Sequence, residues 1–221
     1  MKYNETNKLK IGVLVSGRGS NLEAIIKAIE TGKLKNVEIA IVISDNPEAR
    51  ALNICKEHNI PCEYIFAGPY KTKLEGEAED IYIKKLKECG VELVVLAGFM
   101  RVVKSKFINT FKNRIINIHP SLLPKYPGLN THQRVIEAKE KESGCTVHFV
   151  NEVVDGGKRI MQAKVPVLEN DTPETLAARI LEKEHIILPK VIQMFANGEI
   201  DYDTFPNEPI MLEEKGSVKY K

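Results

Sequence analysis

Residues 93–97, Leu-Val-Val-Leu-Ala, form an unbroken apolar run. A run this short, with no polar residue in alternation, fits a strand covered on both faces, the situation inside a parallel sheet. Around it, strand-like runs alternate with amphipathic stretches. Strands are expected over 11–16, 38–44, 62–66, 93–97 and 115–119, and helices over 21–30, 49–58, 78–89 and about 103–111. Parallel neighbours need a crossover connection, and a helix is the usual one. The order therefore predicts an α/β fold with a doubly wound, mostly parallel sheet. Such sheets bind ligands beyond the carboxyl ends of their strands, where the strand order reverses.

The pattern changes after about residue 129. A helix is expected over 131–141, then strands over 145–150 and 160–167. The turn between those strands carries Asp155-Gly156-Gly157, so an antiparallel hairpin is expected. A long helix should start at Pro173, with Thr172 as its N-cap, kink at Pro189 and stop at Asn197-Gly198. The 221 residues suit a single domain spanning 1–221, with a polar carboxyl-terminal extension over 201–221.

Composition excludes several function classes. The 32 basic and 30 acidic residues leave a net charge of +2 with no Lys/Arg block, which argues against a nucleic-acid partner. Cys55, Cys62, Cys89 and Cys145 contain no C-x-x-C pair. Their spacing fits neither a metal site nor a secreted disulfide framework, so free thiols are expected. The segment 1–10 is polar, and no apolar run reaches signal-peptide or membrane-spanning length. A cytoplasmic protein with no membrane partner is the expectation.

Three segments carry chemistry. In Ile115-Ile116-Asn117-Ile118-His119-Pro120 the strand period of two puts Asn117 and His119 on one face, and Pro120 ends the pairing. A carboxamide can donate to a developing oxyanion and an imidazole can move a proton. Ser16-Gly17-Arg18-Gly19-Ser20-Asn21 joins the first strand to the first helix, where backbone N–H groups and the helix dipole favour an anion. The third glycine of a dinucleotide fingerprint is replaced by Leu22, and the P-loop Lys is missing, so a single phosphate is the better fit. Asp155 matters if its turn folds over the pair: an ionised carboxylate there would favour imidazolium at His119 and could accept a proton. Leu96-Ala97-Gly98-Phe99-Met100-Arg101 could line an apolar slot beside the switch point. Spacing alone makes Glu184 a solvated helix residue. His148 reads as a satisfied histidine under the site, and His58 and His132 as surface residues.

Taken together, these segments resemble the folate-dependent formyltransferase family, and within it the phosphoribosylglycinamide formyltransferases of purine synthesis. The resemblance is carried in order by Ser16–Asn21, Leu96–Arg101, Asn117-Ile-His-Pro-Ser-Leu-Leu-Pro124, Gly144-Cys-Thr-Val-His-Phe149, Val154-Asp-Gly-Gly157, Gln162-Ala-Lys-Val-Pro166 and Glu184-His185. It implies formyl transfer from 10-formyltetrahydrofolate to the primary amine of glycinamide ribonucleotide, by direct attack through a tetrahedral intermediate and without a metal. It implies that Gly19, Ser20 and Asn21 hold the phosphate, and that Glu184 holds the ribose or the glycinamide end. Lys73, Met100, Arg101, Val102, Val103 and Asn117 would contact folate, and residues 151–155 would close over it. Asn117, His119 and Asp155 would be catalytic, with His119 protonated. The implied partners are these small molecules, for a monomer or a homodimer. Within the fold, a methionyl-tRNA formyltransferase would need about another hundred residues at the carboxyl end, and a formyltetrahydrofolate deformylase an amino-terminal regulatory domain. A hydrolase of that deformylase type, or a non-catalytic sugar-phosphate or folate binder, is the alternative.

Overall fold

The structure, a computed structural model, describes residues 3–212. Five strands alternate with helices as the sequence predicts. They are β1 (Leu9–Val15), α1 (Ser20–Glu30), β2 (Val37–Ser44), α2 (Arg50–Glu57), β3 (Cys62–Tyr64), and then a short β4 (Lys73–Leu74), α3 (Glu77–Glu88), β5 (Leu93–Leu96), a short β6 (Val102–Val103), α4 (Ser105–Thr110) and β7 (Ile115–His119). After α5 (Thr131–Glu137) come β8 (Glu142–Phe149), β9 (Arg159–Pro166), α6 (Pro173–Asn197) and β10 (Ile210–Met211).

The main sheet has eight strands in the order β10-β9-β8-β7-β5-β1-β2-β3. β3, β2, β1, β5 and β7 run parallel, and β8 is antiparallel to both β7 and β9. The chain thus leaves β1 towards one edge and returns on its other side at β5. That reversal opens a crevice between the ends of β1 and β5.

Burial on both faces follows from the strand sequences. Val13 and Val15 of β1 and Leu93 and Val95 of β5 pack into the core beneath α1, α2 and α6. Leu14, Val94 and Leu96 point the other way, into a core with Tyr82 and Leu86 of α3 and Phe107 of α4. The Thr172 hydroxyl accepts from the Thr175 N–H in a capping box at the start of α6, and Gly198 closes the helix at φ +74°. Pro189 removes the donor that the His185 carbonyl would have used, yet α6 continues around it and buries it on its packed face.

Three features were not in the expected pattern. β4 and β6 form a separate parallel pair, with Lys73 opposite Val102 and Leu74 opposite Val103. This pairing takes Val103 out of the expected 103–111 helix. The 131–141 helix ends early, at Glu137, because Lys139 turns left-handed at φ +54° to start β8. The carboxyl-terminal extension is packed as far as it is described: Phe205 is buried, Tyr202 meets Phe149 edge-on at 4.9 Å, and β10 adds a parallel strand to β9. Residues 213–221 of that extension lie outside the described residues, as do residues 1 and 2 of the polar amino-terminal segment.

A packed extension should contribute to stability. Phe205→Ala is expected to lower the unfolding free energy by about 3 kcal/mol, the usual cost of deleting a buried phenyl ring. Urea denaturation measures it, and a loss under about 0.5 kcal/mol, the range of a surface substitution, would mean the extension is not part of the core.

Candidate active site

The crevice between β1 and β5 is laced together by backbone. The Ser16 N–H donates to the Gly98 carbonyl at 3.1 Å, and the Met100 N–H to the Ser16 hydroxyl at 2.8 Å. Gly19 caps α1 at φ +76°, and a Cβ there would sit 2.8 Å from that of Ala51 in α2. Both the backbone angle and the packing therefore call for glycine. The Glu23 N–H reaches back to the Gly19 carbonyl. The N–H groups of Ser20, Asn21 and Leu22 precede that first helical bond, so the first turn of α1 presents donors to the crevice.

Beneath that turn, Asn21 Nδ2 donates to Glu184 Oε2 at 2.7 Å, a contact across 163 residues. The phosphate-loop and ribose candidates thus meet. Glu184 is buried on the apolar face of α6, four residues after Ile180 and three before Ile187. The reading of Glu184 as a solvated residue is corrected: it occupies a core position of the helix. Burial pushes its carboxyl above the usual range, while Asn21 and the charge of Arg18 oppose that rise. Asn21 Oδ1 is buried with no hydrogen-bond partner among the described residues.

Asn117, His119 and Asp155 converge at the end of β7. The hairpin makes this happen: β7 and β8 pair with Asn117 opposite His148 and His119 opposite Thr146, and the β8–β9 turn folds back over them. At the base of that turn a Cβ on Gly157 would fall 1.7 Å from the Phe149 carbonyl oxygen, so only glycine closes it. Asp155 itself sits left-handed at φ +53°. Its Oδ2 lies 3.3 Å from His119 Nδ1 and accepts the Gly128 N–H at 2.8 Å. Its Oδ1 accepts from Asn117 Nδ2 at 3.4 Å and lies 3.5 Å from His148 Nε2. His119 Nε2 is 2.9 Å from the Tyr126 carbonyl, which only an N–H can satisfy.

The charge states differ from the expectation. Burial lowers the His119 ring from its ordinary 6.5, and the attraction of Asp155 and the Tyr126 carbonyl offset only part of that. The ligand-free site at neutral pH therefore favours the neutral imidazole, whereas the protonated ring expected from sequence is the donor to the oxyanion in the intermediate. Desolvation of a ring that is 6% exposed outweighs one neighbouring carboxylate. Asp155 goes the other way. Burial would raise it, but His148, the charge on His119 when present and the Gly128 N–H together hold it below the usual carboxylate range.

The folate-side candidates also gather. β6 carries Val102 and Val103 beside Lys73, and Leu96 of β5 pairs with Asn117, so the 97–103 segment emerges next to the trio. Met100 is 61% exposed, whereas Val103 is buried against α3 and α4. Two side chains are already engaged. Arg101 Nε donates to Asp45 at 2.5 Å and its Nη1 to the Tyr70 carbonyl, and Lys73 pairs with Glu75 and lies 4.1 Å from the Tyr70 ring centre. Contacts from this segment to a ligand would then come mainly from backbone and from Met100.

Sequence reasoning placed His148 under the site as a satisfied histidine but gave it no contact with the trio. Its Nδ1 donates to the Phe149 carbonyl at 2.7 Å, and its Nε2 lies 3.2 Å from the Asn117 amide nitrogen. The signal was the register of β7 against β8, which no local motif states. His132 is likewise half-buried rather than on the surface, and burial lowers it. Among the described residues no group of three or more His, Cys, Asp or Glu is placed to hold a metal ion.

Comparison with known proteins gives the family of the chain. The sequence pattern of the Formyl transferase family matches residues 9–192. A phosphoribosylglycinamide formyltransferase of Haemophilus influenzae is 46% identical over 191 residues, covering 86% of this chain and 89% of that one. A trifunctional purine biosynthetic protein adenosine-3 of Drosophila melanogaster is 42% identical over 89% of this chain, which spans 14% of that longer protein. The solved phosphoribosylglycinamide formyltransferase of Coxiella burnetii superposes with a TM-score of 0.85 at 39% identity, covering 93% of this chain and all of that one. With a family match over most of its length and relatives this close, the chain belongs to the formyl transferase family.

Proposed function

We propose that this protein transfers the formyl group of 10-formyltetrahydrofolate to the primary amine of glycinamide ribonucleotide. The observation that carries the reading is the meeting of Asn117, His119 and Asp155 at β7, two strands from the β1 end where a helix N-terminus is backed by Asn21 and Glu184. A formyl transfer to a phosphoribosyl amine needs both halves. Gly19, Ser20 and Asn21 receive the phosphate at the first turn of α1, and Glu184 takes a ribose hydroxyl or the glycinamide end. Met100 to Val103 flank the pterin through backbone groups, with Lys73 beside them and residues 151–155 above. The family relatives make a folate-type one-carbon donor the co-substrate.

The resting charge states suggest how the proton moves. The amine attacks the formyl carbon and the carbonyl oxygen becomes an oxyanion. Asn117 Nδ2–H and a His119 N–H donate to it, after giving up their contacts to Asp155, His148 and Tyr126. The attacking nitrogen loses its proton to the neutral His119–ionised Asp155 pair, directly or through a water. The ring becomes an imidazolium only then, when negative charge is beside it. It returns the proton to the departing folate nitrogen as the carbon–nitrogen bond breaks. The proton count closes without a covalent enzyme intermediate.

Three outcomes are expected. Purified protein given both substrates should form formylated ribonucleotide in step with the absorbance change of the folate; release of formate instead would indicate a hydrolase, and no turnover by folded protein a binder. His119→Ala should leave both ligands bound and cut kcat by at least about 100-fold, the range for losing a general acid–base. Ser20→Ala with Asn21→Ala should raise KM for the ribonucleotide far more than for folate, since a phosphate loses its donors; equal rises would contradict the phosphate assignment.

The pH dependence follows from the same burial. His119 has its ring value lowered from 6.5, so the neutral form persists as pH falls through 6.5 and is lost only below it. The acid limb of kcat/KM, which reports the free enzyme, is therefore expected below pH 6.5, with activity falling as the ring protonates. A limb centred above 7 that disappears in His119→Ala would mean the ring is charged in the resting site.

A further inference from the structure

Between β7 and α5 the chain forms a strap that crosses the trio. Three of its residues are left-handed: Tyr126 at φ +56°, Gly128 at +80° and Asn130 at +56°. The strap gives the trio one backbone group on each side, the Tyr126 carbonyl to His119 and the Gly128 N–H to Asp155. Something must hold it in this shape, because backbone turned this way is costly for a non-glycine residue.

Arg134 reaches back from α5 to do so. Its Nη1 donates to the Pro127 carbonyl at 2.6 Å and to the Leu129 carbonyl at 3.4 Å, and its guanidinium stands 5.4 Å from the Tyr126 ring centre. The ring is clamped at its other end, where the Tyr126 hydroxyl donates to Glu140 at 2.9 Å. Pro127 O and Gly128 N belong to one peptide plane. In a trans peptide the C=O and N–H point to opposite sides. A donor gripping Pro127 O from the α5 side therefore turns the Gly128 N–H away, towards Asp155 Oδ2 2.8 Å distant.

We infer that Arg134 is a positioning residue for the reaction, orienting the Asp155 carboxylate through the Pro127–Gly128 peptide plane. The inference rests on Asp155 being the proton-accepting carboxylate of the proposed function. Without Arg134 the plane is free to rotate, and Asp155 loses a donor that both fixes its rotamer and favours its ionised form. The groups facing Asp155 are then Asn117 and His119 from β7 and His148 from β8. The cation of Arg134 also opposes protonation of His119, so its charge and its hydrogen bond must be separated.

A double-mutant cycle does this. Arg134→Met is expected to lower kcat by about 10- to 100-fold, the worth of one charge-assisted hydrogen bond, with KM for both substrates little changed. In Asp155→Ala it should add nothing further. Arg134→Lys, which keeps one donor for the Pro127 carbonyl, should recover most of the rate. In folded wild-type protein the Gly128 amide resonance should follow the ionisation of Asp155, and in Arg134→Met it should not. An equal loss in the wild-type and Asp155→Ala backgrounds would assign the effect to charge on His119 and overturn the inference. So would a wild-type rate for Arg134→Met, or a Gly128 amide that still tracks Asp155 in Arg134→Met. A wild-type rate for Asp155→Ala would instead remove the reading of the site on which the inference stands.

Discussion

A buried carboxylate must be answered on every side, and the site is organised around that requirement at Asp155. Its side chain is 10% exposed and has the Gly128 N–H, the Asn117 amide and two imidazoles around it. Those four groups come from three pieces of chain: Gly128 from the strap, Asn117 and His119 from β7, and His148 from β8. None can be in place unless β7 and β8 pair antiparallel in the observed register and the turn to β9 folds back over the sheet. Removing any one partner leaves charge in a dry setting, which is why the arrangement is expected to form as a unit.

The two substrate regions are tied to the same frame. The crevice exists because the chain reverses direction across the sheet at β1, and the backbone bonds between Ser16, Gly98 and Met100 keep its walls together. α6 closes the far side by placing Glu184 under the first turn of α1. A carboxylate in the middle of an apolar helix face lowers the stability that a leucine there would supply. It stands beside the buried Asn21 Oδ1, which has no hydrogen-bond partner among the described residues.

Much of this was legible in the chain. The continuous apolar run at 93–97 and the β-α alternation give the doubly wound sheet, and Asp155-Gly156-Gly157 gives the hairpin, because both are statements about local periodicity and turn chemistry. The Asn117/His119 pair was legible because a strand repeats every two residues. What escaped was what depends on pairing between distant segments. His148 enters the site only through its register opposite Asn117. Glu184 looked solvated because its neighbours Lys183 and His185 are polar, whereas its i−4 and i+3 neighbours, Ile180 and Ile187, define its face. The β4–β6 pair joins two dipeptides, too short for any periodicity to register. The resting charge of His119 was not legible for a related reason: the carboxylate beside it is visible in the sequence, but the extent of the ring's burial is not.

The resting state of the trio is the claim on which the chemistry turns: an ionised Asp155 beside a neutral His119. A heteronuclear NMR titration of the ligand-free protein, with labelled histidine rings and aspartate carboxyls, tests it directly. The account predicts that the His119 ring stays neutral until the pH is below 6.5 and that Asp155 titrates below 3.8, the ordinary aspartate value. A His119 ring carrying both protons at pH 7, or an Asp155 carboxyl still protonated there, would contradict it.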